Sequence, residues 1–259
     1  MPNIIVCYKW VLDERDIYVK PETLDLDISR AKNKISDYDR NAIEEGVRLF
    51  EQYGGSVKTL TYGTANVKSS LKDVLSRGPE EAYWIGDESA TTADSYVAAN
   101  ILAAALRKVG GYDIIICAEG SSDSYSQQVG PRIAALLGIE AVTFVNSLEW
   151  QDGKLIARRK LENFIEVVAV QGPVVVSVLP EINEPRLPSL KQVLAAGKKP
   201  SIEIKVADLG LDATNLQPPN KLQVIKGAVF NRKNIKIKEA NMAANVHRLV
   251  ELLQKENAL

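Results

Sequence analysis

Apolar residues recur along this chain in two rhythms. Short uninterrupted runs bounded by Gly, Pro or Asp alternate with longer stretches in which apolar positions return every three or four residues, so strands alternate with helices. Asn3 to Val11, with Ile4-Ile5-Val6-Cys7 unbroken, reads as a first strand buried on both faces and therefore central. Residues 16–29 carry Pro and Asp and suggest a short hairpin excursion. Ser36-Asp37-Tyr38-Asp39 then opens a helix through Ala42, Ile43, Val47 and Leu49, with acidic residues in its first turn. Val57 to Tyr62 is the next strand, ending at Gly63 and followed by a helix to Ser76. Glu81 to Ile85 is a short strand, and Ala93 to Val109 is a helix with Val97, Ile101, Leu102 and Ala105 on one face. Ile114 to Ala118 is a buried strand, Ile133, Leu136 and Leu137 mark a helix stopped by Gly138, and Ala141 to Val145 is another strand.

Beyond this point the alternation stops. Ser147 to Trp150 and Leu155 to Arg159 flank Asp152-Gly153, a hairpin turn, and Phe164 to Val170 and Val174 to Val178 continue as strands. The pattern predicts an α/β fold: a doubly wound, mostly parallel sheet with an antiparallel extension. From Pro180 to Leu190 the chain is Pro-rich and non-repeating. Residues 207–235 lack a core pattern, and Glu239 to Leu259 is amphipathic, with Met242, Val246, Leu249, Val250 and Leu253 on one side. The expected division is an α/β domain over residues 1–206 and an extended arm over 207–259 whose helix packs on another subunit or back on its own domain.

Composition narrows the chemistry. A formal charge of -1 builds in no pull toward nucleic acid or an anionic membrane. No uncharged apolar stretch is long enough to span a bilayer, and the start Met1-Pro2-Asn3 shows no leader pattern, so a soluble cytoplasmic protein is expected. With one histidine, His247 in the C-terminal helix, a Ser-His-Asp triad or a His-rich metal site is not expected. Cys7 and Cys117 end separate strands, form no CxxC pair, and read as small core residues. Neither GxxxxGK[ST] nor GxGxxG after the first strand is present; redox chemistry would have to come from a bound cofactor.

The densest candidate chemistry lies between the strand Ile114 to Ala118 and the helix begun at Val129: Glu119-Gly120-Ser121-Ser122-Asp123-Ser124-Tyr125-Ser126-Gln127-Gln128-Val129-Gly130-Pro131. A strand that empties through a loop of hydroxyls into a helix puts free amides and a positive dipole end at one spot, which suits phosphate. Gly130 would let the backbone approach a ligand closely. An ordinary capped βα loop has the same composition. Lys9 and Asp13, just past the first strand, stand where open α/β sheets place ligands.

Taken together, these motifs resemble the electron-transfer flavoprotein β subunits over nearly the whole chain to about Gly210. The resemblance is carried by Val6-Cys7-Tyr8-Lys9 with Asp13, Asp37-Tyr38-Asp39 with Ala42-Ile43-Glu44-Glu45, Tyr62-Gly63, Gln128-Val129-Gly130-Pro131, Arg159 with Glu162 ahead of Pro173-Val174-Val175, and Asn183-Glu184-Pro185-Arg186. It implies a Rossmann-like, adenine-nucleotide-binding domain in a heterodimer with a flavin-carrying α subunit. By position, Cys7, Ser36, Asp37, Tyr38, Asp39 and Tyr62 would line the adenine and ribose, with Lys9 and Gly63 also in the cofactor site. Ser121, Ser122, Asp123, Ser124, Gln127, Gln128, Val129, Gly130, Pro131, Ile133 and Ala134 would wrap the phosphates.

The ligand in β would be FAD, as in the electron-bifurcating branch with its NADH-linked chemistry, or AMP. Gln127-Gln128-Val129-Gly130-Pro131 is closer to the FAD-containing branch. Ser122-Asp123-Ser124-Tyr125-Ser126, standing for Asp-Gly-Asp-Thr-Ala, and Ser36-Asp37, standing for Asn-Pro, depart from it. No residue is expected to be a general acid or base. The loop at about 180–196, with Asn183, Glu184, Pro185, Arg186 and an anchoring Leu190, would dock an acyl-CoA-type or other flavin dehydrogenase. Two other classes stay open: a non-redox adenine-nucleotide module, and a pyrophosphatase-like enzyme faintly echoed in Gly120-Ser121-Ser122-Asp123-Ser124.

Overall fold

The computed structural model describes residues 1–228 and 232–259. In chain order its regular elements are β1 (Asn3–Tyr8), β2 (Trp10–Leu12), β3 (Tyr18–Val19), β4 (Leu26–Asp27), β5 (Asn33–Ile35), α1 (Asp37–Tyr53), β6 (Ser56–Gly63), α2 (Leu71–Ser76), β7 (Glu81–Gly86), α3 (Ser95–Val109), β8 (Ile114–Ala118), α4 (Val129–Leu137), β9 (Glu140–Gln151), β10 (Lys154–Lys160), β11 (Ile165–Gln171), β12 (Val174–Val178), α5 (Leu190–Ala196), β13 (Ser201–Glu203) and α6 (Met242–Lys255).

Nine strands form one sheet in the order β11-β10-β9-β12-β8-β1-β6-β7-β13. From the first half of β9 to β13 every pairing is parallel, whereas β10 pairs antiparallel with β9 and with β11. The α/β class with an antiparallel extension is therefore what the chain adopts. β1 is central because both its faces are apolar. Ile4, Val6 and Tyr8 join the core cluster beneath α1, while Ile5 and Cys7 join the one beneath α3 and α4, the period-two alternation of a strand.

Three boundaries differ from the sequence reading. The first strand stops at Tyr8 rather than Val11, because the backbone N–H of Lys9 donates to Asp39 and its carbonyl accepts from Ser36. Trp10 to Leu12 then leaves the main sheet and pairs with β5. The segments Ala141 to Val145 and Ser147 to Trp150 are one strand, β9. It carries a bulge where Val176 and Val178 of β12 face Val142 and Val145, and Phe144 adopts φ +58° there. β13 was not legible, since its three residues are all exposed and pair only along one edge of β7.

The chain divides into two units. One comprises Met1–Tyr18 with Asp27–Val224, the other Val19–Leu26 with Ile225–Leu259. Leu209, Leu211 and Leu216 pack against the core beneath α3, so the first part of the expected arm belongs to the α/β unit. Within the second unit Gly227 N–H donates to the Leu24 carbonyl and Lys226 pairs with Asp25. α6 has Met242, Val246 and Leu249 exposed and no buried residue.

Candidate functional site

The strand order fixes where a ligand crevice lies. From β1 the chain passes through α1 to β6 on one side. After β7 it crosses through α3 to β8 on the other side of β1. The winding reverses between β1 and β8, and in open α/β sheets the crevice outside the carboxyl ends at such a reversal takes the ligand. Those ends here are Cys7-Tyr8-Lys9 and Cys117-Ala118-Glu119.

The segment after β8 and the start of α1 meet at this point. Ser122 N–H donates to Ser36 Oγ at 3.2 Å, and Asp37 N–H donates to Ser122 Oγ at 3.0 Å, so the loop is stitched to the first turn of the helix. The Lys9 ammonium reaches Asp123 at 2.5 Å, and the same carboxylate accepts from Ser121 Oγ at 2.5 Å and from Ser124 N–H at 2.8 Å. Partial burial pushes the Asp123 carboxyl up, but the charge and hydrogen bond of Lys9 outweigh it and hold it below the usual carboxylate range. A cation, a hydroxyl and an amide thus converge on one anionic group at the mouth of the crevice.

Beneath this lies Asp39, 5% exposed, accepting from Lys9 N–H at 3.0 Å. Burial pushes its carboxyl up to about 7, against the opposing pull of the Lys9 amide and the Ser36 hydroxyl. Cys7 and Cys117 are buried and free on the floor. Cys7 and burial together push the Cys117 thiol up.

α4 begins with no side chain capping it. The residue that could do so, Gln128, has its Oε1 occupied by Arg132 at 2.8 Å and Ser95 at 3.0 Å. With Pro131 lacking an N–H and the Arg132 amide donating to the Gln128 carbonyl, the Val129 and Gly130 amides are the ones left for an external acceptor. At Gly130 a Cβ would face the sheet, in ordinary van der Waals contact with Cys117 and Ser177 at 3.5 and 3.6 Å. Ile133 and Ala134 likewise turn into the core and can meet a ligand only through their backbone.

The remaining candidates fall around this centre. The Tyr38 ring packs against Tyr125 with centroids 5.1 Å apart. Tyr62 is buried in the same cluster as Cys7 and Cys117, its hydroxyl 2.8 Å from Ser89. Gly63 ends the neighbouring strand, and among the described residues no hydrogen bond joins Tyr62 or Gly63 to the Lys9–Asp123 network. Asp13 leaves the site: its carboxylate caps the turn at Glu14–Asp16 and pairs with Arg15 at 2.6 Å and Lys34 at 3.5 Å.

Sequence reasoning passed over Tyr125 and Glu119. Tyr125 sits at φ +44°, its hydroxyl donates to the buried Glu119 at 2.6 Å, and that hydrogen bond raises its phenol to about 12. Gly120 is obligatory beneath it, because a Cβ there would lie 2.6 Å from the Tyr125 ring. The signal was in the sequence as a carboxylate and a glycine directly after an apolar run.

The loop after β12 is fastened to α1. Asn41 donates to the carbonyls of Pro180 and Asn183 at 2.8 Å, and the Asn183 amide donates to Glu45 at 2.9 Å. The Arg186 guanidinium spans Glu44 at 2.8 Å and Glu51 at 2.6 Å. Asn183 and Arg186 therefore spend their side chains on their own chain, with Glu184 exposed and Pro185 half-buried. Leu187, Leu190 and Leu194 point outward, 91%, 75% and 65% exposed, so Leu190 is not tucked onto its own domain.

Compared with known families, the chain matches the model described as the electron transfer flavoprotein domain over residues 23–209.

Proposed function

The chain belongs to the electron transfer flavoprotein family, and from that premise we propose that it is the β subunit of a heterodimeric electron carrier holding an adenine nucleotide where β1, α1 and α4 meet. Its 259 residues suit the β rather than the larger α subunit. The observation that carries the reading is the convergence at the sheet's reversal point of Lys9, the Ser121 and Ser124 donors and the uncapped amides of α4. That donor set fits phosphate, which would take the place that the Asp123 carboxylate holds among Lys9, Ser121 and Ser124.

The nucleotide is FAD, with AMP as the alternative. The loop donors would hold its phosphates, and Cys7, Ser36 to Asp39 and Tyr62 would enclose its nucleoside. A bound flavin supplies the electron chemistry, while this chain contributes binding, orientation and electrostatics. Bifurcation of electrons and a linked NADH reaction go with the FAD reading.

Leu187 in the loop fastened by Arg186 and Asn183, with Leu190 and Leu194 on the α5 helix that follows, make a preorganised apolar surface for a flavin dehydrogenase of acyl-CoA or other type. Residues 225–259 contribute the arm that engages the α subunit through the exposed face of α6. Among the described residues no helix is long and apolar enough to cross a membrane. A cytoplasmic location is part of the proposal.

The test is to purify the two-subunit complex, release the cofactors by denaturation and count them. Two flavins per heterodimer are expected. One flavin with one AMP replaces FAD by AMP in this subunit, and the absence of any second adenine nucleotide refutes the site.

A further inference from the structure

Asp39 is a buried carboxylate with no ion-pair partner among the described residues. The nearest cation, the Lys9 ammonium, is committed to Asp123, and only the Lys9 amide and the Ser36 hydroxyl reach Asp39. An ionised carboxylate offers about four acceptor positions, so these two donors leave part of that capacity unfilled. A nucleoside carries such donors, the ribose hydroxyls and the adenine amine. Resting on the nucleotide reading above, we propose that binding at this site is proton-linked: the nucleoside's donors complete the shell of Asp39 and the carboxyl gives up its proton to solvent.

The groups around Asp39 support this assignment. Lys9 and Tyr8 face it from β1 and its end, Cys117 from β8 and Asp123 from the loop. Burial pushes the Tyr8 phenol up, and Cys7 together with burial pushes the Cys117 thiol up, so both stay protonated at neutral pH. Asp123 stays ionised, held down by Lys9 despite its partial burial. Asp39, with its carboxyl near 7, is the group among these that changes charge in the neutral range. A ligand that donates to the ionised form lowers that value. Protonation also reaches the loop, since the Ser36 hydroxyl bridges Asp39 to the Ser122 amide.

With the free carboxyl titrating near 7 and the bound one well below, affinity rises about tenfold between pH 6 and pH 8. At pH 7 about half a proton leaves per nucleotide bound. The experiment titrates the full chain, stripped of nucleotide, with FAD and with AMP by calorimetry. It uses two buffers of different ionisation enthalpy at pH 6, 7 and 8. AMP has a phosphate pKa of its own near 6, so its profile is compared with that of Asp39→Asn.

Proton release at pH 7 with an affinity that climbs toward pH 8, flattened in Asp39→Asn, is the expected result. Proton uptake, no exchange, or an unchanged profile in Asp39→Asn overturns the proposal. Should that variant fail to fold, the proton count of the unaltered protein still decides. Failure of both nucleotides to bind at any pH is a different outcome, and it removes the nucleotide reading itself.

Discussion

At the scale of single residues, the site is built from groups placed at a cost. Burying Asp39 without a cation raises its carboxyl to about 7, and a group raised on folding favours the folded state only while protonated. Its contribution is complete below the unfolded value near 4 and is lost as pH rises toward 7, at about 1.4 kcal/mol per pH unit. Without nucleotide, Asp39→Asn is therefore expected to melt several degrees above the unaltered protein at pH 8 and close to it at pH 4.5. Thermal unfolding followed by circular dichroism checks this, and a variant less stable at pH 8 contradicts it. The sequence announced Asp39 as a helix-start acid. It could not announce the burial, which depends on Lys9 turning its amide back across the chain. Tyr125 was hidden for a related reason: a left-handed tyrosine is tolerated here because Gly120, Glu119 and Tyr38 surround it.

Among the elements, the first turn of α1 anchors the loop that precedes α4, and its middle anchors the loop that precedes α5. Glu44 is buried, and Arg186 with Arg48 holds its carboxyl below the usual range despite that burial. Arg186→Ala strips the larger share of those hydrogen bonds and is expected to cost about 2–3 kcal/mol. Arg186→Lys loses less, because it keeps a cation beside Glu44, although one ammonium cannot span Glu44 and Glu51. Urea midpoints rank the three proteins, and equal midpoints for Ala and the unaltered chain would remove the clasp. Strands and helices with a strong apolar period were legible almost throughout, and so was the strand-to-helix corner of the site. The elements that escaped are short: β5 and β13 are three-residue strands, α5 is a two-turn helix within the stretch read as a loop, and β2 was read as the end of the first strand. Isolated apolar residues such as Leu209, Leu211 and Leu216 carry no period, although they pack under α3.

For the whole molecule, the sheet's central reversal gathers the corner proposed for the nucleotide, and the loop beyond β12 leaves its leucines exposed. If those leucines dock a dehydrogenase, Leu190→Ala reduces electron transfer from that partner at least tenfold, about 1.4 kcal/mol or more, with cofactor content unchanged. Stopped-flow reduction by the partner measures it, and undiminished rates would relieve Leu190 of the anchor role. The bulge at Phe144 has a consequence of another kind. β9 is claimed by two neighbours that lie at very different distances along the chain: β10 follows within a tight turn, whereas β12 arrives only after β11 has been laid down. Nearby hairpins close within microseconds, and remote parallel pairings wait on costly loop closure. The three-stranded meander is thus the natural early nucleus on this side of the chain, and the pairing of β12 with β9 and β8 is the late step that joins it to the rest of the sheet.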